Sequence, residues 1–364
     1  MPDAEAPDAG CQDAPSIGGA APASAAGELA STAGPSFAGD APPSPGGRAG
    51  AATVSAAPTS TGVVAAEPQA KSAPAAGRAG GPQILQGPGG SRILQGPGGP
   101  IEAVLFDLDG TLLELDMDRF LPVYLQRLAA WVADLFDPED FLRQLIRATT
   151  AVMQNRDRSR TNHELLYEVL WAGLDPARHP GARREQRQAA LARFDRFYRE
   201  QFPQLQFMAR RRPEAAAVVD AARARGWKVV LATNPIFPWL AIAERLRWAG
   251  LEPDRFDLVT VLENMHSCKP QPDYYLEIAG RIGVEPGRCL MVGNDLRDDI
   301  APARVAGMAV YVVEGMVLHE GEPGAAGAPR GTLGHLLQQF GKSGGTGNIF
   351  ANQATLHGNN AALQ

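Results

Sequence analysis

The chain has 364 residues and a formal net charge of −6, which excludes a general nucleic-acid-binding surface, since that requires a basic excess. No apolar run is long enough to span a bilayer, and the acidic, Ala/Pro-rich opening lacks the basic start and apolar core of a secretory signal. The cysteines, Cys11, Cys268 and Cys289, are odd in number and widely spread, so a disulfide framework is not expected and a cytoplasmic location is.

Residues 1–100 are dominated by Ala, Gly, Pro and Ser, with few aromatics and no periodic apolar stripe. Such a segment buries too little apolar surface to offset its ordering entropy, and is expected to be a disordered arm. Within it the run Ile-Leu-Gln-Gly-Pro-Gly-Gly at 84–90 recurs at 93–99; two breaker-rich copies read as linker.

The first strand is expected at 101–106, an apolar run that opens into Asp107-Leu108-Asp109-Gly110-Thr111. Residues 118–206 then read as helices. Leu121, Leu125, Leu128, Val132 and Leu135 recur at helical spacing. Asp137 and Pro138 are an N-cap and a first-turn proline, and Thr161 with Glu164 has the capping-box spacing. Leu191, Phe194, Phe197 and Tyr198 mark a further helix. Beyond this block, strands at 227–232, 257–262, 288–292 and 309–313 alternate with helices at 213–225, 239–249, 273–282 and 298–306, each helix followed by glycine. Residues after about 320 return to low complexity, with a short helix allowed at 332–340.

This order predicts an α/β fold: a Rossmann-like parallel sheet at 101–117 and 207–318, an inserted helical cap at 118–206, a disordered arm before it and a low-complexity tail at 319–364. The polar residues then fall at the carboxyl ends of strands, where open parallel sheets bind ligands. They are Asp107 and Asp109 after the first strand, Thr233 and Asn234 after the second, Lys269 beyond the third, and the run Gly293 to Asp299 after the fourth.

Their chemistry is coherent. A carboxylate attacking a phosphate ester meets charge repulsion, which Mg²⁺ and a lysine relieve. Asp107 is then the nucleophile and forms an aspartyl-phosphate. Asp109 protonates the departing alcohol and later deprotonates the attacking water. Lys269 supplies fixed positive charge and Thr233 a hydrogen bond to a non-bridging oxygen. The peptide carbonyl of Asp109 is a candidate metal ligand.

These four motifs, in this order, resemble the haloacid dehalogenase-like hydrolases, specifically the phosphatase branch with a helical cap inserted after the first motif. The likeness covers about residues 101–313. It implies Asp107 and Asp109 as catalytic residues, Thr233, Asn234 and Lys269 as phosphate binders, Mg²⁺ as cofactor and a small phosphorylated metabolite as substrate. The acidic loop departs from the common Gly-Asp pattern. Lining up the strand end places Asn294 at the metal, with Asp299 behind it; lining up carboxylates selects Asp295 with Asp299, the assignment favoured here. A phosphomutase using the same intermediate, or a catalytically weak binding or regulatory module, are the competing readings; oligomeric state is left open. Halide removal is disfavoured, because that branch lacks the Asp109 carboxylate. Nine cap arginines, among them Arg158, Arg187 and Arg212, read as a solvated face rather than an anion trap.

Overall fold

The structure, a computed structural model, describes residues 83–86 and 92–341. Strand β1 (Gln83–Gln86) pairs antiparallel with β2 (Arg92–Gly96), Ile84 opposite Leu94 and Leu85 opposite Ile93, and β3 (Gly99–Pro100) adds a third strand. The described parts of the two copies, 83–86 and 92–96, are therefore partners rather than linker, which corrects the expectation there. An isolated apolar copy would leave its backbone groups unpaired, and the second copy satisfies them. The sheet is also docked: Leu94 is buried, its carbonyl accepts from Ile101 N at 2.8 Å, and Gly98 N donates to Gly287 O at 2.9 Å. The expectation of disorder for residues 1–82, with Cys11, lies outside the described residues, as does the tail beyond 341.

Strand β4 (Ala103–Phe106) is buried along its whole length and ends at the acidic motif. Strand β5 (Leu113–Leu115) leads into α1 (Met117–Trp131), α2 (Pro138–Met153), α3 (Asn162–Gly173) and α4 (Arg187–Glu200). The chain returns through β6 (Ala209–Arg211), antiparallel to β5. This pair at the base of the insertion was not expected, because three residues of mixed polarity carry no readable period. The caps formed as their chemistry dictates. The Asp137 carboxylate accepts from Asp140 N at 3.0 Å, and Thr161 and Glu164 cap each other's backbone.

The remainder alternates: α5 (Ala215–Ala224), β7 (Lys228–Leu231), α6 (Trp239–Ala249), β8 (Leu258–Val259), α7 (Pro272–Ile282), β9 (Cys289–Gly293), α8 (Ala301–Val305), β10 (Ala309–Val313), β11 (Arg330–Gly331) and α9 (Leu333–Gly341). The helix expected at 298–306 is instead a wide π-type turn over Leu296–Ile300 followed by the short α8. The expected tail is folded as far as Gly341. Leu333, Leu336 and Phe340 are buried in the core, because β11 extends the sheet and α9 lays its apolar side against α5 and Trp227 on one face of it.

Six parallel strands lie in the order β11-β10-β9-β4-β7-β8. Alternate residues feed two cores. Val104, Phe106, Val229 and Leu231 join one face, continuous with the helical insertion; Ala103, Leu105, Val230 and Ala232 join the other. No helix among the described residues is long and apolar enough to cross a membrane.

Candidate active site

The register of β4 positions the site. Phe106 lies opposite Leu231 on one side and Val292 on the other, so Asp107 emerges between the ends of β7 and β9. Asp107 N donates to Val292 O at 2.9 Å, and Ala232 N donates to Phe106 O at 2.7 Å. This is the point where the strand order reverses, the place open α/β sheets offer to ligands. Gly110 turns the chain away at φ 86°, and its amide donates to Leu113 O at 2.7 Å. A Cβ at Gly110 would sit 2.3 Å from Asn294 Nδ2, so only glycine lets the loop and the strand end approach this closely.

Lys269 arrives from the loop between β8 and α7. Its Nζ lies 2.8 Å from Asp107 Oδ1 and 2.6 Å from Asp299 Oδ1. Burial works against its charge, yet the carboxylates of Asp107 and Asp299 outweigh it and hold the ammonium well above its ordinary range. The loop is held from the insertion side. Asn162 N donates to Met265 O at 2.7 Å and His163 N to Leu262 O at 2.9 Å, so the first amides of α3 are satisfied by the Lys269 loop. Gln271 Nε2 also reaches Met153 O at 2.6 Å. Thr233 faces the same cavity as Asp107, its carbonyl held by Thr260 Oγ1 at 2.7 Å and Tyr274 OH at 2.8 Å. Asn234 is beside it, with a buried Oδ1 that has no hydrogen-bond donor.

The acidic loop divides its residues between tasks. The Asn294 amide is fully engaged: Oδ1 accepts from Thr111 Oγ1 at 2.9 Å and Nδ2 donates to Met316 O at 2.7 Å. Asp295 also lines the cavity. Its Oδ1 accepts from Arg297 N at 2.9 Å and Asp298 N at 3.0 Å, and lies 2.8 Å from His319 Nδ1. Asp299 Oδ2 accepts from Asp295 N at 3.0 Å, which ties the loop to the Lys269 pair.

Asp109 is ion-paired through Oδ2 with the buried guanidinium of Arg245, while its Oδ1 is buried without a donor. Burial pushes the Asp109 carboxyl above its ordinary value; Arg245 opposes that and Asp107 adds to it. Arg245 stacks over the Phe237 ring, 4.4 Å from its centroid.

One cavity of about 320 Å³ joins these groups to the underside of the helical insertion. The carboxylates of Asp107, Asp109, Asp295 and Asp299 face it, with Lys269 and Arg245 as buried cations. That excess of negative charge, together with the orphaned Asp109 oxygen, suits a divalent cation. Among the described residues no three His, Cys, Asp or Glu side chains form a ready-made cage.

The chain matches the haloacid dehalogenase-like hydrolases over residues 101–307, more than half its length. It belongs to this family. It is 31% identical over 220 residues to the phosphoglycolate phosphatase of Escherichia coli (strain K12), covering 57% of this chain and 79% of that enzyme. It is also 31% identical over 119 residues to YhcW of Bacillus subtilis (strain 168), covering 33% of this chain and 52%, about half, of that protein. Among solved structures it resembles a phosphatase of this family from Thermococcus onnurineus, with 22% identity and a TM-score of 0.40, covering 66% of this chain and 98% of that one.

In this haloacid dehalogenase-like hydrolase, sequence reading did not single out Arg245 or His319, both of which face the cavity. Arg245 had a signal. Ala241, Ile242, Leu246 and Ala249 form the buried face of α6, and Arg245 is the cation placed on it. His319 had none, since it falls where the low-complexity tail was expected. The nine cap arginines contribute nothing to the cavity wall, in keeping with a solvated face; Arg212 instead donates to Gly110 O at 2.9 Å from outside.

Proposed function

We propose that this hydrolase is a Mg²⁺-dependent phosphomonoesterase working through an aspartyl-phosphate. One arrangement carries the proposal: the Lys269 ammonium between Asp107 and Asp299, at 2.8 and 2.6 Å, with Thr233 and Asp109 on the same cavity wall. The family relatives named as phosphoglycolate phosphatase support the reaction class.

A carboxylate oxygen of Asp107 attacks phosphorus in line with the leaving alcohol. Lys269 keeps Asp107 oriented and offsets the charge of the incoming phosphoryl group, and the Thr233 hydroxyl donates to a non-bridging oxygen. Asn234 is a second phosphate contact. Asp109, whose carboxyl burial holds above its ordinary value, gives a proton to the departing alkoxide, and its carboxylate then takes a proton from the water that cleaves the aspartyl-phosphate. Asp107, the Asp109 carbonyl and Asp295 are the groups that would hold Mg²⁺, which supplies charge neutralisation at the phosphoryl oxygens. Asn294, whose amide is engaged on both sides, is the scaffold of that loop, and Asp299 fixes Lys269.

The test is phosphate release by the full chain from a panel of phosphomonoesters, with and without Mg²⁺, for wild type and Asp107→Asn. Wild type should turn over with Mg²⁺, and the variant should lose on the order of 10³-fold or more. Absence of release from every ester, or equal rates for the two proteins, would overturn the proposal.

A further inference from the structure

The cavity continues past the phosphate end into the space under α1–α4. Those helices contribute sixteen of its wall residues, and the only charged one is Asp118, an anion. Leu125, Leu128, Phe141, Leu145, Leu170 and Phe194 are typical of this part of the wall. The hydroxyls there are mostly engaged with one another or with backbone. Tyr124 and Tyr198 share a hydrogen bond of 2.8 Å, and Thr149 Oγ1 donates to Leu145 O at 2.9 Å.

All cations on the wall belong to the core end, and each faces a carboxylate there. Lys269 is held by Asp107 and Asp299, Arg245 by Asp109 and Arg297 by Asp298, while the His319 ring lies against Asp295. A substrate with a second negative group, such as a phosphorylated carboxylic acid, would bring that group against hydrocarbon and Asp118. Desolvating a carboxylate without a partner is strongly unfavourable. Sugar hydroxyls fare little better, because a wall of Leu and Phe offers them no exchange for lost water. An apolar group gains there by leaving water, and the volume of about 320 Å³ falls within the range of about 300–1,000 Å³ that encloses small organic ligands.

We propose that the preferred substrates are phosphomonoesters of hydrophobic alcohols, with the phosphate at Lys269 and the uncharged hydrocarbon between the insertion helices. This rests on the phosphatase reading for the reaction, though not for the binding preference.

Two measurements test it separately. The first is calorimetric binding of n-octylphosphonate, methylphosphonate and phosphonoacetate to the full chain with Mg²⁺. The octyl compound should bind at least about ten-fold tighter than the methyl one, and phosphonoacetate no tighter than the methyl one. The second is kcat/KM for n-alkyl phosphates from butyl to octyl, beside 2-phosphoglycolate. Values should rise about two- to fourfold per methylene, and octyl phosphate should exceed phosphoglycolate. Leu145→Gln should flatten both series while leaving methylphosphonate binding unchanged. Graded phosphonate binding without turnover of any ester would refute the phosphatase reading and leave the binding assignment standing. Equal binding of octyl- and methylphosphonate, tighter binding of phosphonoacetate, or a preference for phosphoglycolate would overturn the assignment itself.

Discussion

Arg245 pairs with Asp109 across 136 positions of chain, a buried guanidinium from α6 meeting the second carboxylate of the β4 loop. It is the positioning partner of the proposed acid/base. Substituting Arg245→Gln leaves that carboxylate buried without its counter-charge. Breaking a buried pair from one side costs about 3–5 kcal/mol, so denaturant unfolding should show a loss of that order, with the slope of the transition unchanged.

The same pair sets a pH dependence. In the proposed mechanism Asp109 delivers its proton from the acid form, so turnover of esters with poor leaving groups should fall as pH rises through its pKa. Burial raises that pKa, so the fall comes at higher pH than for an ordinary aspartate. Arg245 lowers it, so Arg245→Gln should move the fall to still higher pH. Rate profiles with an alkyl phosphate and with p-nitrophenyl phosphate, whose leaving group needs no proton, check this; the second should show the weaker alkaline fall.

Lys269→Met leaves Asp107 and Asp299 buried and unneutralised. Activity should drop on the order of 10²–10³-fold, and stability by about 3–5 kcal/mol. Steady-state kinetics and thermal melting of the same preparation separate the two effects. Asp299→Asn, which keeps the shape of the loop and one acceptor for Lys269, should be milder in both.

Gly110→Ala should be felt at two levels. A non-glycine residue at φ 86° is strained by about 1–3 kcal/mol, and the new Cβ displaces the Asn294 amide from Thr111 and Met316. A lower melting temperature and a weaker apparent affinity for Mg²⁺ in the phosphatase assay are the expected outcomes.

The folded unit is wider than the family match at both ends, and paired truncations measure this. Removing residues 1–100 should destabilise more than removing 1–82, by about 1.5–3 kcal/mol for the burial of Leu94. Removing 330–364 should cost several kcal/mol more than removing 342–364, because Leu333, Leu336 and Phe340 leave the core. Chemical denaturation of the four proteins decides it.

Much of the fold was legible before any coordinates. Helix ends were readable at Asp137, Thr161 and Gly250, because capping is a local hydrogen-bonding problem solved within one turn. The β9 and β10 runs were readable because strands covered on both faces are apolar throughout. The small β5–β6 pair was not, and neither was the pairing of the Ile-Leu-Gln-Gly copies, since each strand exists only through a partner elsewhere in the chain.

The amino-acid order by itself determined the α/β alternation, the helical insertion and the rim on which Asp107, Asp109, Thr233, Lys269 and the acidic loop lie. These follow from periodicity and from where strands end. Only the tertiary structure decided that Arg245 is the partner of Asp109, that Asn294 is bound up with Thr111 and Met316, and that the cavity beyond Lys269 is walled mainly by apolar side chains. Those outcomes depend on which side chains face one another across packed elements, and distance in space is not written in distance along the chain.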